Sequence, residues 1–143
     1  MEKTEISEEY QSLLMLFPLL HRLMNSVVPQ GWLELTRTQA YIICLMSSRV
    51  ELTMSELANH IGISKEQATR AIAPMVETGL AERFTDKHNR KLVHIRLTQS
   101  GGEVVQRLRQ ALMARLTDSL TEEELQSLRE AMYQSVELLQ KCK

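Results

Sequence analysis

Thr53-Met54-Ser55-Glu56-Leu57-Ala58-Asn59-His60-Ile61-Gly62-Ile63-Ser64-Lys65-Glu66-Gln67-Ala68-Thr69-Arg70 contains two helix starts in close succession. In each, a hydroxyl residue is followed three positions later by Glu or Gln: Thr53 with Glu56, and Ser64 with Gln67. The hydroxyl accepts an orphan backbone N–H of the first turn, and the longer side chain reaches back to the cap amide. The pattern predicts short helices from Thr53 to His60 and from Ser64 to about Thr78, joined by a tight turn at Ile61-Gly62-Ile63. Leu57, Ala58, Ile61, Ile63, Ala68, Ile72 and Met75 are placed to hold the pair together, which leaves Lys65, Gln67, Thr69 and Arg70 facing outward. Beyond Gly79 the apolar period shortens to two: Val93, Ile95 and Leu97 alternate with Leu92, His94 and Arg96, and Leu80 to Thr85 is the natural partner strand. Asp86-Lys87-His88-Asn89-Arg90 forms the expected hairpin tip. Helix, turn, helix and basic hairpin together describe a winged helix. The start of its second helix offers free N–H groups and a positive dipole end to phosphates, while exposed side chains reach base edges.

Outward from this centre the chain reads as helical. Thr36 with Gln39 and Thr121 with Glu124 repeat the capping box. A first helix is expected from about Ser7 to Val28, stopping at Pro29-Gln30-Gly31, with a kink or split near Phe17 because Pro18 lies inside it. A second, from Thr36 to about Ser48, is apolar nearly all round and is expected to be the central buried helix. After Thr98-Gln99-Ser100-Gly101-Gly102 a long helix is expected to about Leu116, and a last one from Thr121 to Leu139. Leu125, Leu128, Met132, Val136 and Leu139 recur along that last helix at three- and four-residue steps. Such a stripe is too long for a lone terminal helix to leave in water. The fold class is therefore mainly α with a small β-hairpin wing: a winged helix-turn-helix at 35–98, flanked by an N-terminal helix at 1–34 and C-terminal helices at 99–143, the flanks forming a helical dimerisation domain within one compact unit.

Composition narrows the function classes. The 143 residues are 43% hydrophobic and 24% charged, with a net charge of −1, which suits one globular domain. No apolar run approaches the ~20 residues of a membrane span, and the acidic start Met1-Glu2-Lys3-Thr4-Glu5 lacks a secretory signal's features, so a cytoplasmic protein is expected. The charge is uneven: 64–98 holds seven basic and four acidic residues, net +3, whereas 117–143 holds six acidic and three basic, net −3. That asymmetry is expected when one face meets a polyanion and another does not. The two cysteines, Cys44 and Cys142, make no disulfide framework or C-x-x-C pair, and His21, His60, His88 and His94 show no paired ligand spacing, so no metal or cofactor is expected. Neither a nucleophile with its base, nor paired carboxylates, nor a glycine-rich phosphate loop is present, so an enzyme is not expected. Glu122-Glu123-Glu124 reads as charge favouring a helix N-terminus.

Leu35-Thr36-Arg37-Thr38-Gln39, Leu52-Thr53-Met54-Ser55-Glu56-Leu57-Ala58, Ile63-Ser64, Thr69-Arg70, Gly79-Leu80 and Leu97-Thr98-Gln99-Ser100-Gly101 form an ordered set. In order and spacing it resembles the multiple-antibiotic-resistance regulator (MarR) family. The resemblance implies a two-fold dimer of winged helices that binds a pseudo-palindromic double-stranded DNA operator, most often as a repressor released by a small-molecule effector. It puts the helix from Ser64 in the major groove and the wing in a minor groove, with an Asp at the wing base and an Arg near its tip. Asp86 and Arg90 match those positions by spacing. Two departures stand out: Lys87-His88-Asn89 replaces a more Arg- and Asp-rich tip, which shares the contact with Lys87 and Lys91, and Pro74 stands where a polar or basic residue is common. The expected DNA-binding set is thus Ser64, Lys65, Gln67, Thr69, Arg70, Asp86, Lys87, Arg90 and Lys91. The resemblance also implies an effector pocket, for which His21, Tyr41 and Arg49 are the candidate polar groups. The dimer interface is assigned to Leu125, Leu128, Met132, Val136 and Leu139.

Blander readings stand beside these. Arg70 can pair with Glu66 one turn away instead of reading DNA. Cys44 in an apolar helix is ordinarily an inert small hydrophobe, and Cys142 beside Lys141 and Lys143 has the more reactive surroundings. Two alternative functions follow: a thiol-based redox sensor on the same scaffold, and a protein-binding winged helix without DNA contact.

Overall fold

The computed structural model describes residues 2–27, 35–49 and 51–142. The elements in chain order are α1 (Glu2–Val27), α2 (Arg37–Met46), β1 (Leu52–Thr53), α3 (Met54–Ile61), α4 (Lys65–Glu77), β2 (Ala81–Thr85), β3 (Val93–Leu97), α5 (Gln99–Ser119) and α6 (Glu122–Leu139). The chain divides into two compact units, one of 28–109 and one formed by 1–27 with 110–143. No described helix is long and apolar enough to cross a membrane.

The unit 28–109 is built on local signals that the sequence displays. Thr36, Thr53 and Ser64 each accept the N–H of the residue three positions on, and Gln39, Glu56 and Gln67 return the bond to the cap amide. α3 ends because Gly62 adopts φ +78°, the left-handed conformation that closes the turn, and its N–H donates to the Ala58 carbonyl. The core gathers Ile42 and Ile43 from α2, Leu52 from β1, Met54 and Leu57 from α3, Ile72 and Met75 from α4, and Ile95 from β3, all effectively fully buried. Gln39 is the buried polar residue among them. Its Oε1 accepts from Thr36 N at 3.0 Å and its Nε2 donates to the Ala71 carbonyl at 3.0 Å, so the residue that caps α2 also ties it to α4.

The sheet is three-stranded and antiparallel in the order β1-β3-β2, with Leu52 and Arg83 both opposite Ile95. Only the β2–β3 hairpin was expected; β1 is two residues long and too short to display an alternating pattern. The step into α5 is locked by Thr98, whose hydroxyl donates to the Gly79 carbonyl and accepts from Gly101 N, while its own N–H donates to the Leu80 carbonyl. A Cβ at Gly101 would lie 2.1 Å from the Leu80 carbonyl oxygen, so only glycine admits this approach of α5 to the strand entry.

Three expectations need correction. α2 is not buried all round: Gln39, Ile42, Ile43 and Met46 form one buried stripe against α3 and α4, whereas Tyr41 and Cys44 are exposed. Packing from one side covers one stripe, whatever the sequence offers on the other. α1 starts at Glu2 instead of about Ser7, and it is one uninterrupted helix through Pro18, not two. Proline removes a single backbone donor, and the surrounding turns carry the helix across it. The expected stop at Pro29-Gln30-Gly31 lies outside the described residues.

The second unit contains α1, the distal half of α5 and α6. Thr121 and Glu124 form the fourth capping box at the start of α6, as the spacing predicts. No residue of α6 is buried.

Candidate nucleic-acid interface

The first turn of α4 determines what it presents to a ligand. Gln67 N donates to Ser64 Oγ at 3.1 Å, and Ser64 N donates to Gln67 Oε1 at 2.9 Å. Two of the four orphan amides are thereby satisfied, leaving those of Lys65 and Glu66 without an intrahelical acceptor at the positive end of the helix dipole. Lys65, Gln67 and Arg70 are exposed, while Thr69 is half-buried and its hydroxyl donates back to the Lys65 carbonyl at 2.9 Å. The oxygens of Gln67 and Thr69 are therefore engaged with the helix itself, and Gln67 keeps its amide N–H groups for an outside acceptor. No ion pair joins Arg70 to Glu66 among the described residues, so the guanidinium is not tied down by that neighbour. α4 continues through Pro74 to Glu77, although Pro74 cannot donate to the Arg70 carbonyl.

The wing tip is a compact turn organised by Asp86. One carboxylate oxygen accepts from His88 N at 2.8 Å and Asn89 N at 3.3 Å, and the other lies 3.1 Å from His94 Nε2. These donors, the His88 amide first, hold the Asp86 carboxyl below the usual carboxylate range. Asn89 Oδ1 accepts from Lys91 N, and the Asp86 amide donates to the Leu92 carbonyl. Tied in this way, the turn projects Lys87, His88, Arg90 and Lys91, every one of them exposed. Asp86 itself shapes the turn, and exposed cations surround it.

The remaining assigned residues are placed as follows. His21 is exposed on α1, its Nε2 3.0 Å from Asn25 Nδ2, and belongs to the unit of 1–27 with 110–143. Tyr41 on α2 and Arg49 just beyond it are exposed and belong to the other unit. On α6, Leu125 and Leu128 are half-buried and Met132, Val136 and Leu139 are exposed. Both cysteines are exposed, yet crowding by protein atoms pushes the Cys44 thiol up and lowers its thiolate fraction. Two residues near the interface escaped the sequence reading. Arg83 is exposed on β2, a cation whose place beside the tip follows from the strand alternation. His94 is drawn to the wing base by a bond across eight positions that no local pattern signals.

A helix-turn-helix, a small antiparallel sheet and a cationic hairpin tip define a winged-helix domain. Residues 35–93 match the model of the MarR family, a segment that corresponds to this winged helix. The Streptococcus pneumoniae transcriptional regulator AdcR is 36% identical over 64 residues, a match that spans 45% of this chain and 43% of that protein, less than half of its length. The crystal structure of RV1404 from Mycobacterium tuberculosis superposes with a TM-score of 0.71 at 21% identity, covering 90% of each chain. Streptococcus pneumoniae FabT, solved in complex with DNA, superposes with a TM-score of 0.63 at 18% identity, covering 95% of this chain and 96% of that one. At these identities the two structures establish a shared fold.

Proposed function

We propose that the protein is a sequence-specific DNA-binding transcriptional regulator, not an enzyme, acting in the cytoplasm as a homodimer on a pseudo-palindromic operator. The observation that carries this reading is the pairing of two cationic elements in one winged helix: the capped, amide-bearing start of α4 with Lys65 and Arg70, and the wing tip with Lys87, Arg90 and Lys91. In the reading, α4 occupies the major groove and the wing tip contacts the flanking backbone or minor groove. AdcR, a transcriptional regulator, and FabT, solved with DNA, support it.

The homodimer is supported by the apolar surface that α1 and α6 leave in water. Leu13, Leu14 and Phe17 on α1 and Val136, Leu138 and Leu139 on α6 are each half or more exposed. Repression, and release by a small-molecule effector, rest on the family resemblance. Crowding that raises the Cys44 thiol lowers its thiolate fraction and makes it the weaker candidate for a redox role.

Selection of bound sequences from random duplex DNA tests the proposal. The expected product is a pseudo-palindrome with half-site centres one turn apart, roughly 34 Å, bound with an affinity that falls as salt rises. Absence of salt-dependent binding overturns it in favour of a protein-binding winged helix.

A further inference from the structure

The outward face of the sheet carries a cluster that the proposed DNA contacts do not use. His94 on β3 stands between two carboxylates, with Nε2 3.1 Å from Asp86 Oδ2 and Nδ1 3.7 Å from Glu51 Oε1. Its ring stacks on Phe84, the residue opposite it on β2, with centroids 5.3 Å apart and planes 12° apart. The Arg96 guanidinium lies 4.7 Å from the Phe84 centroid and pairs with Glu82, which completes the face. Only 16% of the His94 side chain is exposed. Glu51 immediately precedes β1, and Asp86 closes the wing turn. One ring therefore joins the strand that leads into the helix-turn-helix to the base of the wing.

The protonation of that ring has a mechanical consequence. A carboxylate only accepts, so the bond to Asp86 requires a proton on Nε2. In the neutral imidazole the other nitrogen then turns a lone pair toward Glu51, and only the imidazolium offers an N–H to both sides. Arg83 on β2 lies opposite Ile95, on the other face of the sheet from His94. Glu82 and Arg96 hold each other beside β2, Glu56 of α3 is bound into its own cap with Thr53, and at the tip the His88 amide donates to Asp86.

We propose that His94 is a positioning residue for the wing: its cationic form clamps Asp86 and Glu51 together and fixes the orientation of Lys87, Arg90 and Lys91, and its neutral form releases the Glu51 side. The wing is then stiffer, and DNA binding tighter, when the ring carries both protons. The DNA part of this proposal rests on the regulator reading above; the clamp does not.

The full chain as wild type, His94→Phe and His94→Gln separates the alternatives. Phenylalanine keeps the stack on Phe84 without either nitrogen, and glutamine keeps one donor for Asp86 without a charge. Amide exchange and shifts of 86–92 in the free protein, and affinity for a mixed-sequence duplex at constant salt, are measured between about pH 5 and pH 8. Wild type is expected to show wing amides that gain protection toward pH 5 and duplex affinity that rises by roughly fivefold. Both variants are expected to lose the part of each profile that His94 supplies, with glutamine retaining more protection than phenylalanine at pH 8. Variants that keep the wild-type profile overturn the proposal, as does wing protection in His94→Phe equal to wild type. If wild type binds no duplex, the regulator reading fails and the amide profiles alone decide the clamp. Should His94→Phe lose its core amide protection, His94→Gln carries the comparison.

Discussion

The two units handle their apolar residues in opposite ways. In 28–109, Ile42, Ile43, Leu57, Ile72 and Ile95 are fully buried within a single chain. In the other unit, α6 has no buried residue and α1 leaves Leu13, Leu14, Leu16, Phe17, Leu19 and Leu20 exposed. A monomer rarely leaves so much contiguous apolar surface in water. The contrast teaches that the winged helix carries its own core, whereas the helical unit has apolar faces left exposed among the described residues.

The largest effect should come from opening the self-contained core. Ile72→Ala removes a fully buried side chain from α4 and should cost about 2–5 kcal/mol of unfolding free energy, measured by urea denaturation. A cost below about 1 kcal/mol would show that α4 is not the centre of that core. The other side of the comparison is tested by Leu128→Glu with Met132→Glu, which puts like charges into the proposed seam. The double variant should sediment as a helical monomer and lose operator affinity by roughly a hundredfold, about 2.7 kcal/mol, because one half-site's contacts are lost. If it stays dimeric and binds normally, the interface lies elsewhere.

Smaller effects sharpen the account of the winged helix. Gln67→Ala should change base preference at one position of each half-site by about 1–3 kcal/mol. It should also cost about 1 kcal/mol of stability, because Gln67 closes the α4 capping box. A stability loss with unchanged preference would confine Gln67 to the cap. Arg90→Ala should weaken all duplexes alike and reduce the salt slope by roughly one unit in an affinity titration; an unchanged slope removes Arg90 from the contact. The mildest effect concerns pH. The Asp86 carboxyl lies below its unfolded value, so its contribution is present above about pH 4 and is lost as pH falls through the depressed folded value. Amide exchange of 86–91 should show a further loosening of the wing in that acid range, and Asp86→Asn should remove that transition.

Much of the winged helix was legible because its signals are short. A capping box spans four positions and the αL turn needs one glycine, so Thr36, Thr53, Ser64, Thr121 and Gly62 declare themselves without knowledge of the fold. The exposed cations of α4 and the wing tip follow from the same periods. The engagement of Gln67 in its cap was legible as well, and it competes with the role of reader that the outward face suggests. The open face of α2 was not legible, because a sequence of apolar residues records what can be buried and not how many neighbours arrive to bury it.

The sequence by itself determined the order and kind of the principal elements, the position of the turn and the identity of the cations it displays. It did so because backbone capping and side-chain period are settled within one or two helical turns. Only the tertiary structure decided that Leu52 and Thr53 join the sheet, that Gln39 reaches the Ala71 carbonyl, that Gly101 must be small beneath Leu80, and that His94 stands between Asp86 and Glu51. Each of these joins residues brought together by the path of the chain. Their energies depend on distances that folding creates, and no local pattern of residue types encodes them.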